Sequence, residues 1–344
     1  MTKKHIALAL KFVVSGGLIW YLIDDVDLGA ARDSILGADH KYIGLAFLVT
    51  IVQVGICVVR WRSVLGAIGA VLSFMDGIRL YFISFFFNQA LPSSVGGDAV
   101  RVYRAYKEGL TLSCSINSVM LERVATVLGL ILLVVIATPF FVDRVGSNEV
   151  AWIIPSVTVL GIGGLVGLIF LMFLDRLPPK LSHWRLVRGL AVLASDSRRV
   201  FLSPFNAFKT IGWSLAGHIN VALAMYLLGL SIGLEITWLD CMVLMPPVLL
   251  VMTLPISIAG WGVREQAMVT AFGLIGVPGE GALVLSIMFG LMGLLLGLPG
   301  GIVWLLSSDK EIQATDEIPD YSLYFAARIV TFIQSLNLQG KNGE

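Results

Sequence analysis

Runs of about twenty apolar residues recur along this chain, at 6–23, 42–59, 117–141, 151–174, 210–230 and 282–306. Each approaches or exceeds the length that a helix needs to cross a hydrocarbon core roughly 30 Å thick. No other feature limits the fold as tightly. Inside lipid every backbone N–H and C=O must be satisfied within the protein, so such runs predict helices and an all-α polytopic membrane protein. Charged residues make up only 14% of the chain, against about 25% in soluble domains. The run at 6–23 follows Lys3 and Lys4 and leads into Asp24, Asp25 and Asp27 with no small-residue cleavage site. It reads as an uncleaved first span rather than a signal peptide.

Several function classes are set aside. A formal net charge of +1 gives no general polycation for nucleic acid. Cys57, Cys114 and Cys241 form no close pair, and His5, His40, His183 and His218 are scattered. Neither a metal site nor a cofactor is expected. The phosphate-binding pattern GxxxxGK[ST] is absent from the sequence.

Two further apolar stretches, 76–91 and 238–254, are shorter, and each runs into a Pro–Gly-rich break. Sixteen helical residues rise only about 24 Å, so both are expected to be arms of re-entrant hairpins, at 76–108 and 238–272. Pro246 and Pro247 should bend or interrupt the second arm, and Pro92 and Pro255 should end the arms. The breaks resemble each other. LPSSVGGDAVR (91–101) laid over LPISIAGWGVR (254–264) matches at six of eleven positions, with Pro92 falling on Pro255. The same offset carries 117–141 onto 280–304 and 42–59 onto 205–222, near the runs at 282–306 and 210–230. The expected organisation is an inverted repeat of three spans plus one hairpin each, about six full spans in all. Residues 1–150 form the first copy, 151–308 the second, and 309–344 a tail with an interfacial helix. Loop 175–209 is basic, whereas 24–40, 142–150, 231–237 and 275–281 are nearly devoid of Lys and Arg. That pattern predicts both termini in the cytoplasm.

The first break carries the chemistry. Gly96 and Gly97 permit a chain reversal. Asp98 is placed as an N-cap, or as the i+3 partner of Arg101, and Gly109 closes the helix that follows. A helix N-terminus presents free N–H groups and a positive dipole end, and an arginine adds a fork that suits phosphate. The second break repeats the scheme with Gly260, Trp261, Gly262, Arg264 and Glu265. Candidate headgroup-binding residues are therefore Arg101 and Arg264, with Asn88, Ser94, Gly96, Gly97, Asp98, Arg104, Glu122 and Arg123 around the first. Ser257, Gly260, Trp261, Gly262 and Glu265 accompany the second. Bland roles compete: Arg104 and Lys107 as snorkelling residues, Glu122, Arg123 and Glu265 as structural ion pairs, and Asn88 as a partner of broken backbone. Arg60-Trp61-Arg62 reads as an interfacial anchor, followed by a surface helix at 63–75.

LPSSVGGDAVRVYRAYKEG, Leu121-Glu122-Arg123, LPISIAGWGVRE and the RWR segment together resemble the lysylphosphatidylglycerol synthase transmembrane, or flippase-like, family. The resemblance spans about residues 6–306. It implies a bacterial inner-membrane protein that moves lipids between leaflets. The positions it implies here are Pro92, Gly96, Gly97, Asp98, Arg101, Glu122, Arg123, Gly260, Gly262, Arg264 and Glu265. Some relatives carry a cytosolic aminoacyl-transferring domain. Only the stretch 307–344 follows the last span here, too short for such a domain, so that activity is not expected. The leading expectation is a translocase, not an enzyme, for an anionic phospholipid or polyprenyl-phosphate-linked lipid. Enzymes of envelope-lipid or glycan synthesis are its expected partners. The rival expectations are an intramembrane enzyme acting on lipid phosphate, with Asp98 and Glu122 as acid and base, and a non-transporting scaffold.

Overall fold

A computed structural model describes residues 28–90, 96–145, 153–176, 185–252 and 261–306. These form helices, with no strand among the described residues. In chain order they are α1 (Leu28–Leu36), α2 (His40–Ala67), α3 (Phe74–Ala90), α4 (Gly96–Lys107), α5 (Leu112–Val145) and α6 (Ile153–Met172). A single 3₁₀ turn at Leu174–Arg176 leads to α7 (Arg185–Phe201), α8 (Pro204–Ser231), α9 (Trp238–Met252), α10 (Val263–Gly273) and α11 (Gly279–Leu306). Five of these helices are long and apolar enough to cross a membrane: α2, most of α5, most of α6, α8 and α11. They coincide with five of the six expected spans. The first, 6–23, lies outside the described residues, as do the tail, Pro92, Ser94, Pro255, Ser257 and Gly260.

The helices α2 and α8 make the longest seam. They run antiparallel: Asp39 N–H donates to Ser231 O (2.8 Å) at one end, and Asn220 Nδ2 donates to Val49 O and Gln53 Oε1 (3.0 Å each) farther along. The α3 helix packs on α4 and on α11, and α9 packs on α10 and on α5. Small residues set the closeness of α3 to α11. A Cβ at Gly300 would run into the Phe82 carbonyl, and one at Gly297 would come within 3.2 Å of the Phe86 Cα. A core of Met225, Leu228, Leu244, Met268, Phe272 and Leu285 joins α8, α9, α10 and α11. Among the described spans α6 is the one least covered by the rest of the protein.

Two expectations are corrected, and two loops prove to be partly helical. Residues 63–67 do not begin a surface helix; they complete α2, and the chain turns at 68–73 before α3. The helix α9 continues through Pro246 and Pro247, so the arm is not interrupted there. The 24–40 and 175–209 loops carry helices of their own, α1 and α7. The polar side of α7 is tied down: Asn117 Nδ2 on α5 donates to the buried Asp196 carboxylate (2.8 Å).

Candidate functional site

Three helices converge on one buried carboxylate. Glu122, on α5, is 2% exposed. Its Oε1 accepts from Arg60 Nε (2.7 Å) and Arg60 Nη2 on α2, and its Oε2 accepts from Arg101 Nη2 (2.7 Å) on α4. The same Arg101 Nη2 donates to Asp98 Oδ1 (3.1 Å), and Asp98 Oδ2 accepts from Arg123 Nε (2.6 Å). Arg60, Arg101, Asp98 and Glu122 are all buried, whereas the Arg123 side chain is half exposed. A charge buried alone costs several kcal/mol, so such groups persist only as paired networks.

Local sequence explains the placement. The helix α4 begins at Gly96, and the Gly97 N–H donates to Asn88 Oδ1 (3.0 Å) on α3. Gly97 has no room for a side chain: a Cβ would meet the Ser84 carbonyl and lie 2.6 Å from Asn88 Oδ1. At the far end of the pair Arg79 bonds to Glu108, so α3 and α4 lie antiparallel. The 3.6-residue period then puts Asp98, Arg101 and Arg104 on one buried stripe. Gly109 (φ +97) closes the helix as expected. Asp98 is not the N-cap: it sits two residues inside α4, and its carboxylate serves Arg101 and Arg123. Arg104 does not snorkel; it is buried, and only Lys107 is exposed.

Arg60 and Trp61 are not an interfacial anchor. Trp61 is fully buried, and its Nε1 donates to Ser118 Oγ (3.1 Å). The Arg101 guanidinium carbon lies 4.9 Å from the Trp61 ring centroid and 4.5 Å from that of Tyr81. A charged residue at the end of an apolar run looks like an anchor in sequence. Only its pairing with Glu122, far along the chain, reveals the other role. Tyr81 carried no sequence signal beyond an aromatic in an apolar arm.

The second break is built differently. Arg264, 3% exposed, donates from Nε to Glu265 Oε1 (3.0 Å) and Ser286 Oγ (3.1 Å), and from Nη2 to Glu265 Oε1 (2.5 Å). The Glu265 Oε2 atom accepts from the Gly262 N–H (2.5 Å), holding the turn that Gly262 makes at φ +84. A Trp261 ring centroid lies 4.4 Å from the Arg264 guanidinium. One cation meets one carboxylate here. The two breaks approach the same part of α11: a Cβ at Gly290 would collide with the Arg264 guanidinium, and one at Gly293, a turn later, would lie 3.1 Å from Gln89 Nε2 at the end of α3. No group of His, Cys, Asp and Glu suited to a metal occurs among the described residues.

Comparison with known proteins fits this architecture. The UPF0104 membrane protein PH1989 of Pyrococcus horikoshii is 24% identical over 286 residues, covering 74% of this chain and 82% of that protein. Residues 8–301 match the profile of the lysylphosphatidylglycerol synthase TM region. With a polytopic helical fold and a match over most of its length, the chain belongs to the lysylphosphatidylglycerol synthase transmembrane-region family.

Proposed function

We propose that the protein moves lipids with an anionic headgroup between leaflets, without chemical change to the lipid. The observation that carries this reading is the charge balance at the first break. Among the described residues, Arg60, Arg101 and Arg123 bond to only two carboxylates, Asp98 and Glu122. That excess of positive charge sits where a headgroup phosphate would otherwise enter oil, and it lowers the cost of the crossing. The second break, with Arg264 matched by Glu265, adds none. The anion site is therefore assigned to the first break, and Arg264 is a positioning residue for the turn at Gly262.

An inverted repeat supports alternating access. Under the shift that carries Pro92 onto Pro255, α2 at 40–67 becomes 203–230, against 204–231 for α8, and α3 at 74–90 becomes 237–253, against 238–252 for α9. Exchanging α2 with α8, α3 with α9, α4 with α10 and α5 with α11 leaves the set of packed pairs among these eight helices unchanged: α3 on α11 becomes α9 on α5, and α5 on α8 becomes α11 on α2. The equivalent helices α2 and α8 run antiparallel, so the operation relating the copies turns one over. Such repeats place substrates near mid-membrane. We further assign the protein to a bacterial inner membrane, with both termini cytoplasmic, on the charge of its loops. Enzymes of envelope-lipid or glycan synthesis would supply or consume its cargo.

The test is reconstitution into vesicles holding fluorescent phosphatidylglycerol or fluorescent phosphatidylcholine, with a membrane-impermeant quencher outside. The expected result is fast, protein-dependent loss of the inner-leaflet signal for the anionic lipid. Arg101→Gln should slow it at least tenfold, while Arg264→Lys should retain most of it. Equal rates with wild-type and Arg101→Gln protein refute the reading, and chemical conversion of the lipid would make the protein an enzyme instead.

A further inference from the structure

Three buried hydrogen-bond donors beside the first break have no partner among the described residues: Arg101 Nε, Arg101 Nη1 and Tyr81 Oη. Arg101 is 1% exposed and Tyr81 5%. A buried donor left unmet is costly, so groups of this kind in native proteins call for an explanation. The three are close together, since the Arg101 guanidinium carbon stands 4.5 Å from the Tyr81 ring centroid. The ring is itself fixed, edge-on to Trp61 at 5.9 Å and tilted against Phe85 at 5.9 Å. Trp61 is pinned in turn by Ser118.

We infer that Arg101 and Tyr81 form an oxyanion site that takes the phosphate group of a phosphate ester, with the Tyr81 hydroxyl as a direct ligand contact. The inference rests on the translocase reading above and names the group within the headgroup that is held. The chemistry follows from the donor set. Asp98 and Glu122 occupy Nη2, the middle position of the guanidinium, so the free Nε–H and Nη1–H flank it and diverge. A planar carboxylate has two oxygens suited to one edge of the fork. A tetrahedral phosphate can take one of these free N–H groups on one oxygen and the Tyr81 hydroxyl, which lies out of the guanidinium plane because the ring is stacked beneath it, on another. The free donors offer no acceptor except the hydroxyl oxygen, so they favour a group that only accepts. The aromatic faces of Tyr81 and Trp61 hold the guanidinium in place by cation–π contact while its ligand changes.

The informative variant is Tyr81→Phe, which removes the hydroxyl and keeps the ring. Detergent-purified protein is titrated with inorganic phosphate and, separately, with six-carbon-chain phosphatidylglycerol, and ligand binding is read as a rise in Tm. Wild-type protein is expected to bind at least one of the two probes. Tyr81→Phe should bind it about tenfold more weakly, with its ligand-free Tm equal to or above that of wild type, because an unmet buried donor has been removed. Binding of inorganic phosphate comparable to that of the lipid identifies the phosphate itself as the recognised group. Binding of the lipid alone identifies an esterified headgroup. Either result supports the site. No binding of either probe to wild-type protein overturns it, as the three donors would then hold water only. Unchanged affinity in Tyr81→Phe also overturns it. Vesicle transport separates this inference from the function proposed above: wild-type transport with undiminished affinity in Tyr81→Phe sinks this inference and leaves the translocase standing, whereas phosphate binding without any wild-type transport sinks only the translocase.

Discussion

Glu122→Gln tests the buried network most directly. The change is isosteric, but it removes the charge that answers Arg60 and Arg101, and it turns one acceptor into an amide that points donors at donors. Three hydrogen bonds reach Glu122: two from Arg60 and one from Arg101. Removing one member of a buried ion network costs about 3–5 kcal/mol, mainly because the remaining charges are stranded. For a chain of this size that corresponds to a fall in Tm on the order of 5–10 °C. The assay is thermal unfolding of the purified protein in mild detergent, followed by loss of the monodisperse peak. Arg60→Met combined with Glu122→Gln should recover part of the loss, because one of the stranded cations is gone. A coupling of about 0.5–3 kcal/mol is expected in the full cycle. If Glu122→Gln melts within about 2 °C of wild type, or if the double variant is merely additive, then Glu122 is not the centre of a charge network and the reasoning fails.

Gly97→Ala should separate α3 from α4, because its Cβ would meet the Ser84 carbonyl; expression as a folded species should collapse, whereas Gly163→Ala, with nothing within 4 Å, should be neutral or stabilise by up to about 1 kcal/mol. Asn117→Ala leaves the buried Asp196 carboxylate without its 2.8 Å donor and should loosen α7, seen as faster proteolysis between positions 177 and 204 while the spans stay protected. The Arg198 hydrogen bonds hold the Asp175 carboxyl below its ordinary value. A carboxyl depressed in the folded state contributes stability above its unfolded pKa and loses that contribution as the pH falls through the folded value. Any Tm gap between wild type and Asp175→Asn should therefore persist at neutral pH and close under acid; a gap that widens below about pH 4 refutes the pairing.

Much of the helical layout was legible because lipid leaves the backbone so few choices. Hydrophobic runs located α2, α5, α6, α8 and α11 to within a few residues at most ends, and the two shorter apolar stretches located α3 and α9. Arg101 also stood out by its alignment with Arg264 beside a Pro–Gly break, and Glu122 because charge inside an apolar run is rare. What stayed hidden depended on distance along the chain. Arg60 belongs to the site through Glu122, a partner three helices further on, and Trp61 is buried because Ser118 and Tyr81 surround it. Arg101 and Arg264, aligned when Pro92 is laid on Pro255, differ in balance because Glu265 has no acidic counterpart at Val102 and Glu122 falls on Leu285 under the same offset. Pro246 and Pro247 were expected to bend or interrupt the arm on local chemistry; α9, held among α5, α8 and α10, continues through both without interruption.

The packing of α3 on α11 and of α9 on α5 bears on how this molecule could move. Each short helix is clasped by a long helix from the distant end of the chain, so neither sequence half closes its own core. A fragment ending near Val145 would expose the face of α3 that Gly297 and Gly300 now cover, and it should aggregate unless the complementary fragment is made beside it. Intact protein should then show amide protons of α3 and α11 exchanging at matched rates, as one cooperative unit sewn across the midpoint of the sequence.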